Sequence, residues 1–240
     1  TNQCSRRRVR RARSVTFGSP NSHHQQMFIP ASFRVDDRDT LLAFMGRYGF
    51  ATLVSTCHGA LSATHVPLIV DHENERLLGH LARGNPQWEG FGDTETLAIF
   101  MGPHAYVSPT WYATVPAVPT WNYAVVHVYG VPRLLSADQT REVVDLTVRK
   151  YESGRQSPWP NDLPDDFRQR LLAGVVGFEM PLTRIEGKYK LGQNRSAADQ
   201  TGMLKGLHNE GVESRLLAEF IEHILAEASR AEQRNAADSR

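Results

Sequence analysis

Cysteine is scarce in this chain. Cys4 and Cys57 are the only two in 240 residues, too few for a disulfide framework or a Cys-based zinc site. A reducing compartment, the cytoplasm, is the expected setting. No apolar run approaches the roughly 20 residues that a membrane-spanning helix needs. The ten histidines show no HxH or HExxH spacing, so no metal site is expected. A G-x-G-x-x-G fingerprint is absent, which argues against a Rossmann nucleotide domain. Ser55, Ser62 and Ser108 lack a nucleophile-elbow context, and no catalytic triad is visible.

Acidic residues are missing from one region. Residues 1–26 contain Arg6, Arg7, Arg8, Arg10, Arg11 and Arg13 and no Asp or Glu. The whole chain is nearly neutral, with 27 Lys+Arg against 26 Asp+Glu. Without those six arginines, 21 bases face 26 acids, and the rest of the chain is net −5. A mildly acidic body is a poor generic nucleic-acid binder, and DNA binding would need a local basic patch. No helix-turn-helix pattern is evident. The first 26 residues read as a disordered basic tail. The tail has the Arg- and Ser-rich composition of a transit sequence, but its arginines cluster without an apolar face. A translated region upstream of a natural start at Met27 is the favoured reading.

The chain as a whole has ordinary globular composition, 40% hydrophobic and 22% charged. Asp37 caps an expected helix over 38–48. Strands are expected over 50–56 and 60–70, joined as a hairpin by a Cys57–Gly59 turn, and over 76–82, 96–101, 123–135 (interrupted at Gly130 and Pro132) and 175–180, with 183–191 as a last strand or hairpin. Pro67 marks an edge or bulge. A short helix is expected over 85–91, and longer ones over 138–151, 165–172, 199–208 and 213–230, with a frayed end over 231–240. Pro103, Pro109, Pro116 and Pro119 make 102–120 read as a long ordered loop. Strands first, with peripheral helices, argues for a mainly β, α+β barrel built from antiparallel strands rather than βαβ units.

Three runs carry the candidate chemistry. The first is His80-Leu81-Ala82-Arg83-Gly84-Asn85-Pro86. It delivers a cation into a Gly turn with free backbone amides and then an Asn-Pro helix start, a pattern suited to a phosphate. Here His80 points inward toward the ligand or is a hydrogen-bonded core histidine. The second is Gly102 to Tyr112, which includes His104, Tyr106 and Trp111. The third is Thr120-Trp121-Asn122-Tyr123. Aromatic rings and amides around a phosphate cradle suit a flat phosphorylated cofactor, and flavin mononucleotide (FMN) is the leading candidate. Ala63-Thr64-His65-Val66 is oddly polar for a core strand. The segment Lys188 to Arg195 is cationic and polar, and Lys188 and Arg195 are candidates for a second phosphate cation.

These runs, with Met27–Pro30, Val176–Glu179 and Ile185–Arg195, resemble the PaiB-like family of FMN-binding negative transcriptional regulators. The resemblance extends from Met27 to about Leu207. It implies an antiparallel split β-barrel of the pyridoxamine-phosphate-oxidase type over residues 27–210, followed by a C-terminal helix over 211–240. It also implies a homodimer with FMN at the interface and a small-molecule substrate. On this reading the cofactor contacts are Thr64, His65, Val66, His80, Leu81, Ala82, Arg83, Asn85, Tyr106, Trp121, Asn122, Lys188, Gln193 and Arg195. Gly192 stands where the family more often has serine. Three functions follow as expectations. The first is a flavin-dependent redox enzyme. The second is a regulator that binds DNA or a protein and uses FMN as a sensor. The third is a haem-binding barrel with His104 or His208 on iron.

Overall fold

The computed structural model describes residues 27–238. The basic tail and the start-site expectation lie outside those residues.

A short strand β1 (Arg34–Val35) leads into α1 (Arg38–Arg47). The Asp37 carboxylate accepts the Thr40 N–H at 2.8 Å and satisfies one of the helix's free amides. Strands β2 (Phe50–Cys57) and β3 (Ala60–Pro67) form a hairpin. Its two turn residues, His58 and Gly59, have φ of 49° and 77°. Two positive φ values are what a tight hairpin turn demands. After β3 come β4 (Ile69–Asp71) and β5 (Arg76–Ala82), then a 3-10 turn over Pro86–Gly90. Next are β6 (Thr96–Val107), β7 (Thr120–Gly130) and β8 (Arg133–Leu134). Helices α2 (Ala137–Glu152) and α3 (Asp165–Ala173) precede β9 (Val175–Pro181) and β10 (Arg184–Lys190). Helices α4 (Ala197–Asn209) and α5 (Val212–Asp238) close the chain.

The strands form two antiparallel sheets. One has the order β1-β10-β7-β6-β2-β3 and the other β4-β5-β9-β8. The chain passes from the first sheet to the second at fully buried Leu68 and between Gly130 and Arg133, and returns between β5 and β6 and between β9 and β10. The shared core includes Leu53, Leu77, Leu81, Phe100, Phe178 and Met180. Gly79 makes room for it: a Cβ there would sit 2.9 Å from Phe178 Cζ. Helices α2 and α3 cover the outer face of the four-stranded sheet, while α4 and α5 close the end near β6. The Phe44, Tyr48, Tyr189 and Phe220 rings meet where α1, β10 and α5 converge. This is the α+β class expected from the strand and helix order.

Four expectations change. The 60–70 strand is two strands, β3 and β4, in different sheets, because the chain bends at Leu68 to serve both. The 123–135 strand divides in the same way into β7 and β8. The 102–120 loop is shorter than expected: β6 continues to Val107 by way of a register shift between Met101 and His104. That irregularity admits Pro103, which has no N–H for the ladder. The expected frayed end is helical through Asp238, in keeping with its Ala-, Glu- and Arg-rich sequence.

Candidate functional site

The turn after β5 is held by its own side chains. The Asn85 carboxamide oxygen accepts the Gln87 N–H at 3.0 Å and caps the 3-10 turn, with Pro86 at its first position. Asn85 Nδ2 donates to Thr64 Oγ1 on β3 at 2.8 Å. Gln87 is fully buried, and its Nε2 donates to Leu53 O and Ser55 Oγ, each at 3.0 Å, and to Ser62 O at 3.3 Å. Trp88 Nε1 donates to Arg83 O at 3.0 Å. Gly90 lies so close to β2 that a Cβ would stand 2.6 Å from Thr56 O. The segment from Arg83 to Gly90 is thus clamped to the β2–β3 hairpin.

Arg83 has a second task. Its Nε donates to Ala173 O at 2.7 Å and its Nη2 to Val175 O at 2.9 Å, bracing the end of α3. A guanidinium has five N–H donors, so three remain. Among the described residues no carboxylate lies within ion-pair distance of it. A Cβ on Gly84 would meet nothing within 4 Å, so the space above the turn is open. Beside it, β3 is the last strand of its sheet and pairs only with β2, leaving one row of backbone N–H and C=O groups free. An uncompensated cation with spare donors, an open Gly turn and an unpaired strand edge fit a phosphorylated ligand with polar ring edges.

The remaining candidates divide by position. His65 stands on the outer face of the six-stranded sheet, its Nδ1 2.9 Å from Thr52 Oγ1. Ala82 is exposed at the end of β5. Val66 and Leu81 are core side chains, so only their backbones are available. Tyr106 and Trp121 face each other across β6 and β7, half-exposed, with ring centroids 6.3 Å apart. Lys188 Nζ donates to Phe28 O at 2.9 Å and lies over the Tyr123 ring. The Arg195 guanidinium lies 4.4 Å from the Tyr112 ring centroid. Lys190 donates to Thr120 Oγ1 and to Trp121 O.

Three candidates require correction. Asn122 is 1% exposed and its Nδ2 points to Met203 Sδ at 3.2 Å. It shares the inward face with Ala124, Val126 and Val128, so it braces α4. Gln193 uses both ends of its amide locally, accepting from Leu191 N at 2.8 Å and donating to Tyr189 O at 2.6 Å. His80 alternates with the core residues Gly79 and Leu81 and lies on the opposite side of β5, toward α2 and α3. Burial lowers its pKa. The Gly192 position also has a local reason: φ is 85°, and a Cβ would press on Met203 at 3.0 Å. Sequence reasoning missed Gln87 as the anchor of the turn. Its place just behind an Asn-Pro cap was the available signal.

The Arg83-turn candidates, tied to β3 at Thr64, and the Tyr106–Trp121 pair lie at different parts of the six-stranded sheet. Thr64 aligns with Leu53, and Leu53 with Ala98 on β6. Tyr106 and Trp121 lie about 25 Å farther along β6, and β7 is about 14 Å across the sheet from β3.

A family model described as "Putative FMN-binding domain" matches residues 27–184. The chain is 37% identical over 202 residues to the Protease synthase and sporulation protein PAI 2 of Bacillus subtilis, covering 82% of this chain and 97% of that protein. Among solved structures, the FAD and heme binding protein from Mycobacterium smegmatis aligns with a TM-score of 0.53 at 13% identity, over 70% of this chain and 78% of that one. The flavocytochrome Anf3 from Azotobacter vinelandii aligns with a TM-score of 0.51 at 12% identity, over 65% and 69%. These structural likenesses concern the fold. Matched over most of its described length, the chain belongs to the PaiB-like family of FMN-binding domains, whose cofactor is FMN.

Proposed function

We propose that the protein is a flavin-dependent redox enzyme acting on a small molecule, in a split-barrel homodimer with FMN at the interface. One observation carries the reading: Arg83, with spare donors and no acid partner, sits in an open turn tied through Asn85 to the free edge of β3. Arg83, the Gly84 amide and Asn85 bind the phosphate. The backbone of Thr64, His65 and Val66 addresses the polar edge of the ring. Bound FMN supplies electron exchange at its ring, and the protein supplies orientation and a partly dry pocket.

The second copy is argued from what one chain leaves open. The outer face of the six-stranded sheet carries Phe50, Leu61 and Trp121 at 68%, 83% and 56% exposure. Large apolar side chains left exposed on one sheet face make that face a candidate interface. A two-fold dimer through this face makes two equivalent sites and brings Tyr106, Trp121, Lys188 and Arg195 of one copy toward the Arg83 turn of the other.

A second reading, regulation through DNA, has its support in the similarity to a sporulation protein along 97% of that protein's length. On the acidic body, sequence-specific binding that survives physiological salt is not expected. An electrophoretic shift with that property would favour the regulator. A visible spectrum of the purified protein separates flavin from haem.

The decisive experiment titrates the protein with FMN and riboflavin, then mixes an Arg83→Ala chain with an Arg195→Ala chain. FMN is expected to bind much more tightly than riboflavin, and the mixture to regain part of the FMN binding that each variant lost. Equal affinity for the two flavins overturns the phosphate role. No recovery on mixing overturns the shared site for these two residues.

A further inference from the structure

Behind the Arg83 turn, between α2, α3 and the outer face of the four-stranded sheet, lies a cavity of about 170 Å³. Its walls are mostly apolar, with Val148 from α2, Leu171 and Leu172 from α3, Val175 from β9, and Trp159 from the loop between the helices. Polar groups are few. His80 projects from β5, Arg141 is exposed, and Arg168 and Asp145 face each other at 3.7 Å.

Two of these groups have unmet hydrogen-bonding capacity. His80 Nδ1 and Arg168 Nε are buried without a partner among the described residues. Arg168 is otherwise engaged with the loop, donating from Nη2 to Asn161 O at 2.7 Å and from Nη1 to Asn161 Oδ1 at 3.3 Å. For His80, an orphaned acceptor is tolerated better than an orphaned N–H. That preference leaves Nδ1 bare and puts the proton on Nε2, which becomes a donor. Burial keeps the ring neutral by lowering its pKa. With Arg141 and Arg168 against Asp145, the lining holds one surplus positive charge. Apolar walls, one surplus cation and a neutral N–H donor select an anion with an apolar body.

We propose that this cavity is a binding site for a small apolar monocarboxylate, separate from the flavin site. The carboxylate faces His80 and the arginines, and the body lies against Leu171, Leu172 and Trp159. An apolar cavity of about 150 Å³ takes up benzene, so a benzoate-sized body fits this one. The site does not depend on the flavin reading, because its groups lie on the side of β5 away from the barrel core.

Trp159 provides an internal reporter. The full-length protein is titrated with benzoate, benzamide and acetate, followed by calorimetry and tryptophan fluorescence. Benzoate is expected to give saturable heat and a fluorescence change. Benzamide, which keeps the ring but lacks the charge, should bind about tenfold more weakly or worse. Acetate, which keeps the charge but lacks the body, should also bind more weakly than benzoate. Trp159→Phe should keep the heat and lose the fluorescence change. Val148→Phe fills the cavity and should abolish the heat with the flavin absorbance unchanged. If that variant does not fold, Leu171→Phe makes the same test from the half-exposed side. Equal binding of benzoate and benzamide overturns the proposal, as does binding that survives the filled cavity or no heat from benzoate at millimolar concentration. The flavin titration is a separate measurement, so either reading can fail alone.

Discussion

The Arg83–Gly90 turn and the outer face of the six-stranded sheet carry similar residues, and the fold treats them in opposite ways. In the turn, amides and aromatic N–H groups are committed to partners in the same chain: Asn85 to Thr64, Gln87 to three acceptors on β2 and β3, Trp88 to Arg83. On the sheet face, Trp121, Tyr106 and Phe50 are exposed, and nothing among the described residues covers them. The difference is one of completeness. The turn is held in place by its own chain while Arg83 keeps spare donors, which suits a rigid phosphate grip. The sheet face is left open by the described residues, and under the proposed dimer a second copy covers it. If the proposed FMN site is divided in this way, ligand affinity is tied to assembly.

The strongest test of that contrast is Gln87→Ala. It leaves Leu53 O, Ser55 Oγ and Ser62 O without their donor and opens a void. The expected loss is about 3 kcal/mol of unfolding free energy, read by urea denaturation. Trp121→Ala on the open face should cost an isolated chain no more than about 0.5 kcal/mol. A cost at Trp121 equal to that at Gln87 would erase the distinction between the regions.

Much of the fold was legible because period and punctuation agree. The Asp37 cap, the Cys57–Gly59 turn and the Asn85-Pro86 start were each expected from local chemistry and are each present. What could not be read was sheet membership. Leu68 looks like an ordinary strand residue, and Gly130 and Pro132 read only as an interruption within one strand, yet both places carry the chain from one sheet to the other. Gly102-Pro103 reads as a loop start, but an irregular ladder absorbs it. At the candidate site, the turn itself was legible from Arg83-Gly84-Asn85. Side-chain direction was only partly so. The alternation of Asn122 with Ala124 and Val126 already pointed inward. The assignment of Arg83 to the end of α3 depended on an element distant in sequence, whereas Gln193 closes on its own turn, two and four residues away.

The next effect in size concerns Arg83. Arg83→Ala should weaken FMN binding by about 2 kcal/mol, roughly thirtyfold, and leave riboflavin affinity nearly unchanged. Arg83→Lys keeps the charge but cannot brace Ala173 O and Val175 O while also gripping a phosphate, so it should fall between. Calorimetric titration of both flavins decides this. On the other side of the comparison, Trp121→Glu should shift the dimer toward monomer by about tenfold or more in dissociation constant, measured by sedimentation. An unchanged sedimenting mass would mean that this face is not the interface.

The smallest effect separates the regions by pH. His80 lies behind the turn and His127 on the sheet face, and burial lowers the pKa of both, with Glu186 partly opposing the shift at His127. A histidine whose folded pKa is below its unfolded value of about 6.5 binds more protons when unfolded. Its contribution is therefore fully present above pH about 6.5 and is lost as pH falls toward the folded pKa. The slope per histidine cannot exceed about 1.4 kcal/mol per pH unit. Denaturation at a series of pH values below 6.5 should show stability falling, and His80→Gln should flatten that fall more than His127→Gln at low protein concentration. On the open face, a second copy would bury His127 further. Its share of the slope should then grow with protein concentration, while that of His80 stays fixed. If both shares are independent of concentration, the sheet face stays solvated and the contrast between a closed turn and an open face loses its link to assembly.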